Sequence, residues 1–196
     1  MKKPNIPFSD TATRYAKTLS VCLDSLDWTA VQSLVTSLER VRKSRAQVFL
    51  FGNGGSGANA IHWANDLLYA ATKTGGQPLR IHALPANQAV VTCLGNDIGY
   101  DRIFDYPLRT FATKGDVVIA LSGSGNSPNI LKALEFTKEA GIESYAILGF
   151  DGGQAKALAS NPIHIPVNDM QIAEDLQMIL CHIITQHLNF NPDLDS

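Results

Sequence analysis

The chain has 196 residues, a length that fits one domain. Hydrophobic residues make up 45% of it and charged residues 17%, a globular balance whose low charge suggests that other subunits cover part of the surface. The formal net charge of −2 gives no electrostatic basis for binding nucleic acid or an anionic membrane, so neither is expected as a partner.

Targeting signals and cysteine usage indicate the cellular compartment of the protein. The first residues, MKKPNIPFSD, lack the apolar core of a signal peptide, and no apolar run is long enough to span a bilayer. The cysteines Cys22, Cys93 and Cys181 are odd in number and lack CxxC spacing, which argues against a disulfide framework or a zinc ribbon. Cys93 and Cys181 lie in apolar runs and are predicted to be core residues. These features predict a cytoplasmic protein.

Two helices are predicted within residues 1–45. The first has the sequence TATRYAKTLSVCLDSL and follows Asp10, which is the expected N-cap. The second has the sequence WTAVQSLVTSLERVRKS and follows Asp27, a second expected N-cap. Its last turn carries basic residues, as the helix dipole favours.

Short apolar segments alternate with helical ones over residues 46–190. The predicted strands are AQVFLFG, LRIHAL, DVVIALS, SYAILGF and IHIPV. Helical segments start near Ala58, Asn87, Ser127 and Gly153, and a closing helix begins near Met170 and ends near Leu188. This alternation predicts βαβ units, and therefore an α/β fold with a doubly wound five-stranded parallel sheet flanked by helices.

The predicted fold occupies one domain, residues 1–196, that ends in a loose tail at 190–196. Ligands of such sheets bind at the carboxyl ends of the strands. Two glycine- and serine-rich loops fall at such ends, LFGNGGSGAN at residues 50–59 and LSGSGNSPN at residues 121–129.

The second loop carries the hydroxyls of Ser122, Ser124 and Ser127 immediately before a predicted helix. A helix N-terminus offers unpaired N–H groups and a positive dipole end, so hydroxyls placed there are suited to holding a phosphate. The alternative is that Ser, Gly and Asn only make turns and helix caps. Because a second such loop follows a neighbouring strand, we favour the phosphate interpretation.

The first loop contains Gly52, Gly54 and Gly57 in a GxGxxG pattern, which is a weak signal alone. A dinucleotide fold also requires an acidic residue after the next strand, and LRIHALPAN has none. No GKS or GKT of a nucleotide-binding P-loop is present either. No nucleotide cofactor is therefore expected, and a phosphorylated small molecule is the better ligand.

Four polar side chains form a candidate site: His62 and Asp66 share one face of the helix after the first loop, and Glu174 and His182 lie two turns apart on the closing helix, which is apolar almost all round. Taken singly, Glu174 fits an ordinary helix N-terminal acid and His182 a hydrogen-bonded core histidine. Taken together, they fit either a tetrahedral Zn²⁺ site or a general acid–base pair without metal.

Several segments resemble the sugar isomerase (SIS) domain family, and within it the phosphoheptose isomerases. They are GNGGSGANAIHWAND, CLGND, LSGSGNSPNILKAL, GFDGG and the closing helix, and the likeness covers almost the whole chain. The resemblance implies isomerisation of a phosphorylated aldose or ketose, namely sedoheptulose 7-phosphate to D-glycero-D-manno-heptose 7-phosphate. It also implies a homotetramer with active sites at subunit boundaries. Because the family includes non-catalytic members, a protein that binds a sugar phosphate or a protein partner is the alternative.

The resemblance also implies roles for individual residues. Asp66 is the expected catalytic base and His182 the expected acid. The implied ligands of one Zn²⁺ are His62, Asp66, Glu174 and His182. The implied substrate-binding residues are Asn53, Gly54, Gly55, Ser56, Asn96, Asp97, Ser122, Gly123, Ser124, Ser127 and Glu174.

The sequence departs from the family pattern at three of these positions. Asp66 stands where the family has Glu, Glu174 where it has Gln, and Gly123 where it usually has Thr. The first change shortens the side chain by one methylene and the second adds a charge.

Overall fold

The structure is a computed structural model that describes residues 6–73 and 76–191. Its strands are β1 (Gln47–Gly52), β2 (Arg80–Ala83), β3 (Val117–Ser122), β4 (Glu143–Leu148) and β5 (Asn161–His164). Its helices are α1 (Phe8–Asp24), α2 (Trp28–Ser44), α3 (Gly54–Leu68), α4 (Gln88–Asp97), α5 (Asp105–Phe111), α6 (Pro128–Ala140), α7 (Ala155–Leu158) and α8 (Met170–Phe190). Among the described residues, no helix is both long and apolar enough to cross a membrane.

The five strands form one parallel sheet in the order β2-β1-β3-β4-β5. Successive side chains along each strand point to opposite faces of the sheet, so they pack alternately into two separate hydrophobic cores. Helices α2, α3 and α8 pack on one face, over Leu50, Ile119 and Ile147. Helices α5, α6 and α7 pack on the other, over Phe51 and Ala120. The predicted doubly wound sheet is confirmed.

The order of the strands reverses between β1 and β3, which are hydrogen-bonded neighbours. The chain leaves β1 towards the α3 face and leaves β3 towards the α6 face. A crevice therefore opens between the loops that follow these two strands, and this is where open α/β sheets bind ligands. Both glycine- and serine-rich loops lie at this crevice.

Several predicted element boundaries differ from the structure. Helix α1 starts at Phe8, because the Pro7 carbonyl accepts the N–H groups of Asp10 and Thr11, so Asp10 lies within the first turn and is not the N-cap. Helix α3 starts at Gly54, four residues before the predicted start at Ala58, because the Gly57 N–H bonds the Asn53 carbonyl. Asp27 caps α2 as predicted.

Two further differences lie in the second half of the chain. Helix α5 was not predicted, because only seven residues form it and Pro107 sits inside it. Strand β5 ends at His164, whereas the apolar pattern predicted a strand over 163–167. The predicted loose tail falls outside the described residues from 192 onward, and Phe190 still belongs to α8.

The GxGxxG pattern has a packing explanation in this fold. A Cβ on Gly52 would lie 2.7 Å from the Leu121 carbonyl oxygen, and one on Gly57 would lie 2.7 Å from the Gly52 carbonyl oxygen. Strand β1, its neighbour β3 and the first turn of α3 can approach this closely only because both positions are glycine.

Candidate functional site

A cavity of about 230 Å³ lies at the crevice between β1 and β3. Both loops and the start of α8 line it. Its lining residues are Asn53, Gly54, Ser56, Leu121, Ser122, Gly123, Ser124, Ser127, Met170 and Glu174.

The hydroxyls of the β3–α6 loop are arranged to donate into this cavity. Ser122 Oγ accepts the Gly125 N–H at 3.1 Å, and Ser124 Oγ accepts the Asn126 N–H at 3.3 Å. A hydroxyl that accepts a backbone N–H keeps its own hydrogen for another acceptor. Ser127 is the N-cap residue of α6, yet its side chain makes no capping bond. The three hydroxyls can therefore serve an anion at the N-terminus of α6.

The segment after β4 holds this loop in place. The Gly149 N–H donates to the Gly123 carbonyl at 2.9 Å, and the Ala155 N–H donates to the Gly125 carbonyl at 3.0 Å. The loop is thus fixed by backbone contacts before any ligand binds, which lowers the entropy cost of binding.

Asn53 in the first loop is used to join elements. Its side-chain amide exchanges hydrogen bonds of 2.8 and 2.9 Å with Asn129, the second residue of α6, and its oxygen also accepts from the Tyr100 hydroxyl at 3.2 Å. These contacts tie the two loops together across the crevice. Sequence reasoning missed both Asn129 and Tyr100, since a single Asn or Tyr in a loop carries no distinctive spacing.

Helix α8 reaches over both loops with its first turns. The Glu174 carboxylate packs on Gly55, so closely that a Cβ at Gly55 would overlap it. The Met170 thioether packs on Gly123 in the same way. Asn59 on α3 donates to the Glu174 carbonyl at 2.8 Å and so holds the first turns of α8 against α3. Sequence reasoning did not single out Met170.

A second group of polar side chains lies further along the same two helices. The ligand atoms of His62, Asp66 and His182 all lie within 4.8 Å of one another. The two Nε2 atoms are 3.2 Å apart, and each lies 3.7 Å from Asp66 Oδ2. Asp66 is mostly buried while both imidazoles are about half exposed, so the cluster is open on one side.

The cluster is separated from the cavity by a definite stretch of helix. His62 follows Ser56 by six residues and His182 follows Glu174 by eight, which is about 9 and 12 Å along the helix axes. The exposed His182 is not the core histidine of the alternative interpretation.

Not every predicted site residue comes together. Glu174 lines the cavity and is not part of the His62, Asp66 and His182 cluster. Asn96 and Asp97 lie exposed at the end of α4, where the Asn96 amide donates to Asp97 at 2.8 Å, and neither lines the cavity.

The cysteine predictions have different outcomes. Cys181 is buried as predicted, and burial raises the pKa of its thiol well above the ordinary value, which keeps it neutral and unreactive. Cys93 was predicted to be a core residue, which is wrong: it is exposed on α4 and donates to Asp97 at 3.4 Å.

Comparison with known proteins places this fold and site in a family. The family model of the SIS domain matches residues 14–149. The phosphoheptose isomerase of Citrifermentans bemidjiense is 37% identical over 155 residues, which are 79% of this chain and 80% of that protein. The phosphoheptose isomerase of Aliarcobacter butzleri is 32% identical over 184 residues, 94% of this chain and 93% of that protein.

A solved structure extends the likeness to the fold. The phosphoheptose isomerase of Neisseria gonorrhoeae matches with a TM-score of 0.84 at 23% identity, over 93% of this chain and 96% of that one. The chain therefore belongs to the SIS domain family. Within that family, its place is among the phosphoheptose isomerases, as the resemblance in sequence implied.

The contact between Gly123 and Met170 predicts a compensating pair of substitutions. Gly123→Thr should lower the free energy of unfolding by about 1–3 kcal/mol, because the new side chain displaces the Met170 thioether. Met170→Ala in the same chain should recover most of that loss. Chemical denaturation of both single variants and the double variant measures the coupling. Losses that simply add would show that the two positions do not share this space.

Proposed function

We propose that this chain is an aldose–ketose isomerase that converts sedoheptulose 7-phosphate to D-glycero-D-manno-heptose 7-phosphate. One observation carries the proposal. The cavity lined by neutral serine hydroxyls and the cluster of two imidazoles and a carboxylate are linked by α3 and α8, along which the cavity-lining Ser56 and Glu174 precede His62 and His182 by about 9 and 12 Å. This separation is comparable with the length of an extended seven-carbon sugar phosphate, and the names of the relatives agree with it.

In this proposal, the phosphate binds at the start of α6. Ser122, Ser124 and Ser127 donate to its oxygens, and the helix dipole adds a favourable field. Since the cavity has no cationic side chain among its described lining residues, recognition depends on hydrogen bonds and the dipole. The open-chain sugar then runs along α3 and α8, past Gly54, Gly55 and Ser56, towards the histidines.

The reaction requires a proton to move from C1 to C2 of the ketose. Asp66 removes the C1 proton, and the electron pair moves to the C2 carbonyl oxygen, giving a cis-enediolate. His182 gives a proton to that oxygen and takes one from the C1 hydroxyl as the aldehyde forms. Asp66 then returns its proton to C2. Asp66 is suited to this role because it is mostly buried and its Oδ2 lies 3.7 Å from the Nε2 atoms of both imidazoles.

The same cluster fits a zinc ion. His62, Asp66 and His182 offer two imidazole nitrogens and one carboxylate oxygen, which is a three-ligand set typical of zinc sites that keep an open position. Zn²⁺ bound there would supply positive charge to stabilise the developing oxyanion. Glu174, an expected fourth ligand, lies in the cavity instead.

The proposal includes a cytoplasmic homotetramer. Helix α1 buries none of its residues, and Phe8 and Val21 on α1 and Trp28 on α2 expose large apolar side chains that other copies can cover. The free cysteines Cys22, Cys93 and Cys181 fit a reducing compartment.

Asp66→Asn should abolish turnover of sedoheptulose 7-phosphate, since the amide cannot accept the C1 proton. His182→Ala should lower kcat by at least ~10²-fold, as expected for loss of a general acid. Coupled detection of the aldose product measures both. His187 lies near the carboxyl end of α8, beside Glu39 of α2. The control variant His187→Ala should leave the rate unchanged. Full activity in both Asp66→Asn and His182→Ala would contradict these roles.

Ser124→Ala should weaken binding of sedoheptulose 7-phosphate by roughly 1.5–3 kcal/mol, the value of one hydrogen bond to a charged group. Equilibrium titration of the Asp66→Asn background avoids turnover during the measurement. Thr110 lies on α5, where its hydroxyl donates to the Tyr106 carbonyl, and it does not line the cavity, so Thr110→Ala is a matched loss of one hydroxyl that should not change affinity. The phosphate lies elsewhere if Ser124→Ala binds as tightly as its parent.

Zinc titration of the metal-free chain should show one ion bound per subunit. His62→Ala should weaken this binding by removing one of three ligands. His82 lies on the edge strand β2 and contacts Gln47, so the control variant His82→Ala should not weaken it. Equal zinc affinity in the two variants would rule out the cluster as the metal site.

Light scattering of the purified chain should report four copies. A substitution of Phe8 by Asp on the exposed face of α1 should shift the assembly towards smaller species, because a charge would be buried between subunits. A monomer at micromolar concentration would contradict the proposed assembly.

A further inference from the structure

Phe150, in the segment that follows β4, has a backbone conformation that its residue type disfavours. Its φ is +47°, in the left-handed region where a bulky side chain strains the backbone and glycine is the usual residue. Glycines are frequent around it, at Gly149, Gly152 and Gly153. A phenylalanine that keeps a conformation which glycine would adopt freely points to a use for its side chain.

The backbone of Phe150 is held by β5 and the residues after it. Its N–H donates to the Val167 carbonyl at 2.9 Å, and His164 Nε2 lies 3.0 Å from its carbonyl oxygen. Because a carbonyl only accepts, Nε2 is the donor, and His164 Nδ1 is left to accept from Lys156 Nζ at 3.0 Å. These bonds hold the strained backbone in place before any ligand binds.

The ring of Phe150 reaches the β3–α6 loop. A Cβ on Gly123 would lie 3.8 Å from Phe150 Cε2, so the ring lies beside the space that a side chain at residue 123 would occupy. The Met170 thioether packs on the same glycine. Because Ser122 and Ser124 flank Gly123 in sequence, the position of this glycine sets where both hydroxyls point.

The rest of the segment after β4 contacts the same loop. The Gln154 N–H donates to Asn126 Oδ1 at 3.1 Å, in addition to the backbone bonds that Gly149 and Ala155 donate to the loop. The β3–α6 loop contains two glycines of its own, at 123 and 125, and such a backbone has wide conformational freedom unless contacts restrict it. Phe150 is the residue of this segment that adds a large apolar contact.

We propose that Phe150 is a positioning residue for the phosphate. Its ring supports the β3–α6 loop at Gly123 and keeps the serine hydroxyls directed at one anion before that anion binds. The bonds to Val167 and His164 sustain the backbone strain, and the loop is ordered without help from the ligand. This inference rests on the proposed function, because it takes the phosphate to lie at this loop.

Three substitutions separate the ring from the backbone. Phe150→Ala removes the ring and keeps the strained φ, Phe150→Gly removes the ring and relieves the strain, and Phe150→Leu keeps most of the apolar volume. Phe150→Gly should therefore resist chemical denaturation better than Phe150→Ala, because only glycine adopts a left-handed φ without strain.

Affinity for sedoheptulose 7-phosphate tests the positioning role. Equilibrium titration is done in the Asp66→Asn background, at a temperature where denaturation curves show every variant folded. We expect Phe150→Ala and Phe150→Gly to weaken binding by about tenfold, since the loop must then be ordered on binding. Phe150→Leu should restore most of the affinity. Inorganic phosphate should lose affinity by the same factor as the sugar phosphate, because the ring acts only on the loop that holds the phosphate.

A matched ring and the kinetics of the active chain exclude a general effect on the fold. Phe136 lies on α6 under the Arg109 guanidinium, so Phe136→Ala removes a ring of the same size and should lower stability without changing the affinity. With Asp66 intact, Phe150→Ala should raise KM and leave kcat unchanged, because the ring lies at the phosphate loop and not in the acid–base cluster.

Wild-type affinity in Phe150→Ala and Phe150→Gly, together with the expected loss in Ser124→Ala, would overturn the role of Phe150 and keep the phosphate site. An equal loss of affinity in Phe136→Ala, or a fall in kcat with KM unchanged, would also overturn it. Sugar-phosphate binding that is indifferent to Ser124→Ala would overturn the phosphate site itself and the inference with it.

Discussion

The pairing of β1 with β3 is the constraint on which the site depends. Five registered residue pairs, from Val48 with Val117 to Gly52 with Leu121, bring the two strand ends to the same edge of the sheet. The strands then send their helices to opposite faces, so the loops diverge and leave a crevice. Gly52 and Gly57 permit the close approach of strand and helix, and the Asn53–Asn129 contact joins the loops across the gap. Without this register, the serine hydroxyls of the β3–α6 loop and the first turn of α3 would not line the same cavity.

Helix α8 supplies the second half of the arrangement. Its apolar residues bury against α2, α3 and the sheet, which fixes its rotation and places Glu174 and His182 on the side of the crevice. Arg42 on α2 donates to the Leu188 and Asn191 carbonyls and so satisfies the carboxyl end of the helix. A single helix thus carries Glu174 to the cavity and His182 to the cluster with His62 and Asp66, and the number of residues between the two sets their separation.

Sequence reasoning reached the architecture because its signals are strong and local. Short apolar runs alternating with helical periodicity specify a doubly wound sheet, and the GNGGSG and SGSGNS runs fall at strand ends. The spacing of His62 and Asp66 by four residues predicted their shared helix face, which the structure has.

Contacts between distant segments were not predictable from the spacing of residues within one segment. The packing of Met170 on Gly123 and of Glu174 on Gly55 depends on where α8 docks, and no spacing within one segment encodes that. Cys93 shows the opposite failure, since an apolar run need not be buried when its helix faces outward.

The central claim is that the crevice between the loops after β1 and β3 is the active site of an isomerase that acts through an enediolate. Isotope exchange tests this claim most directly. Sedoheptulose 7-phosphate incubated with the chain in D₂O can be followed by ¹H NMR at C1 of the ketose and C2 of the aldose. The account predicts aldose formation together with deuterium at carbon, because the proton held by Asp66 exchanges with solvent during some turnovers. Binding of the sugar phosphate with no aldose formed and no deuterium at C1 would contradict it, and would show a sugar-phosphate-binding protein without the isomerase reaction.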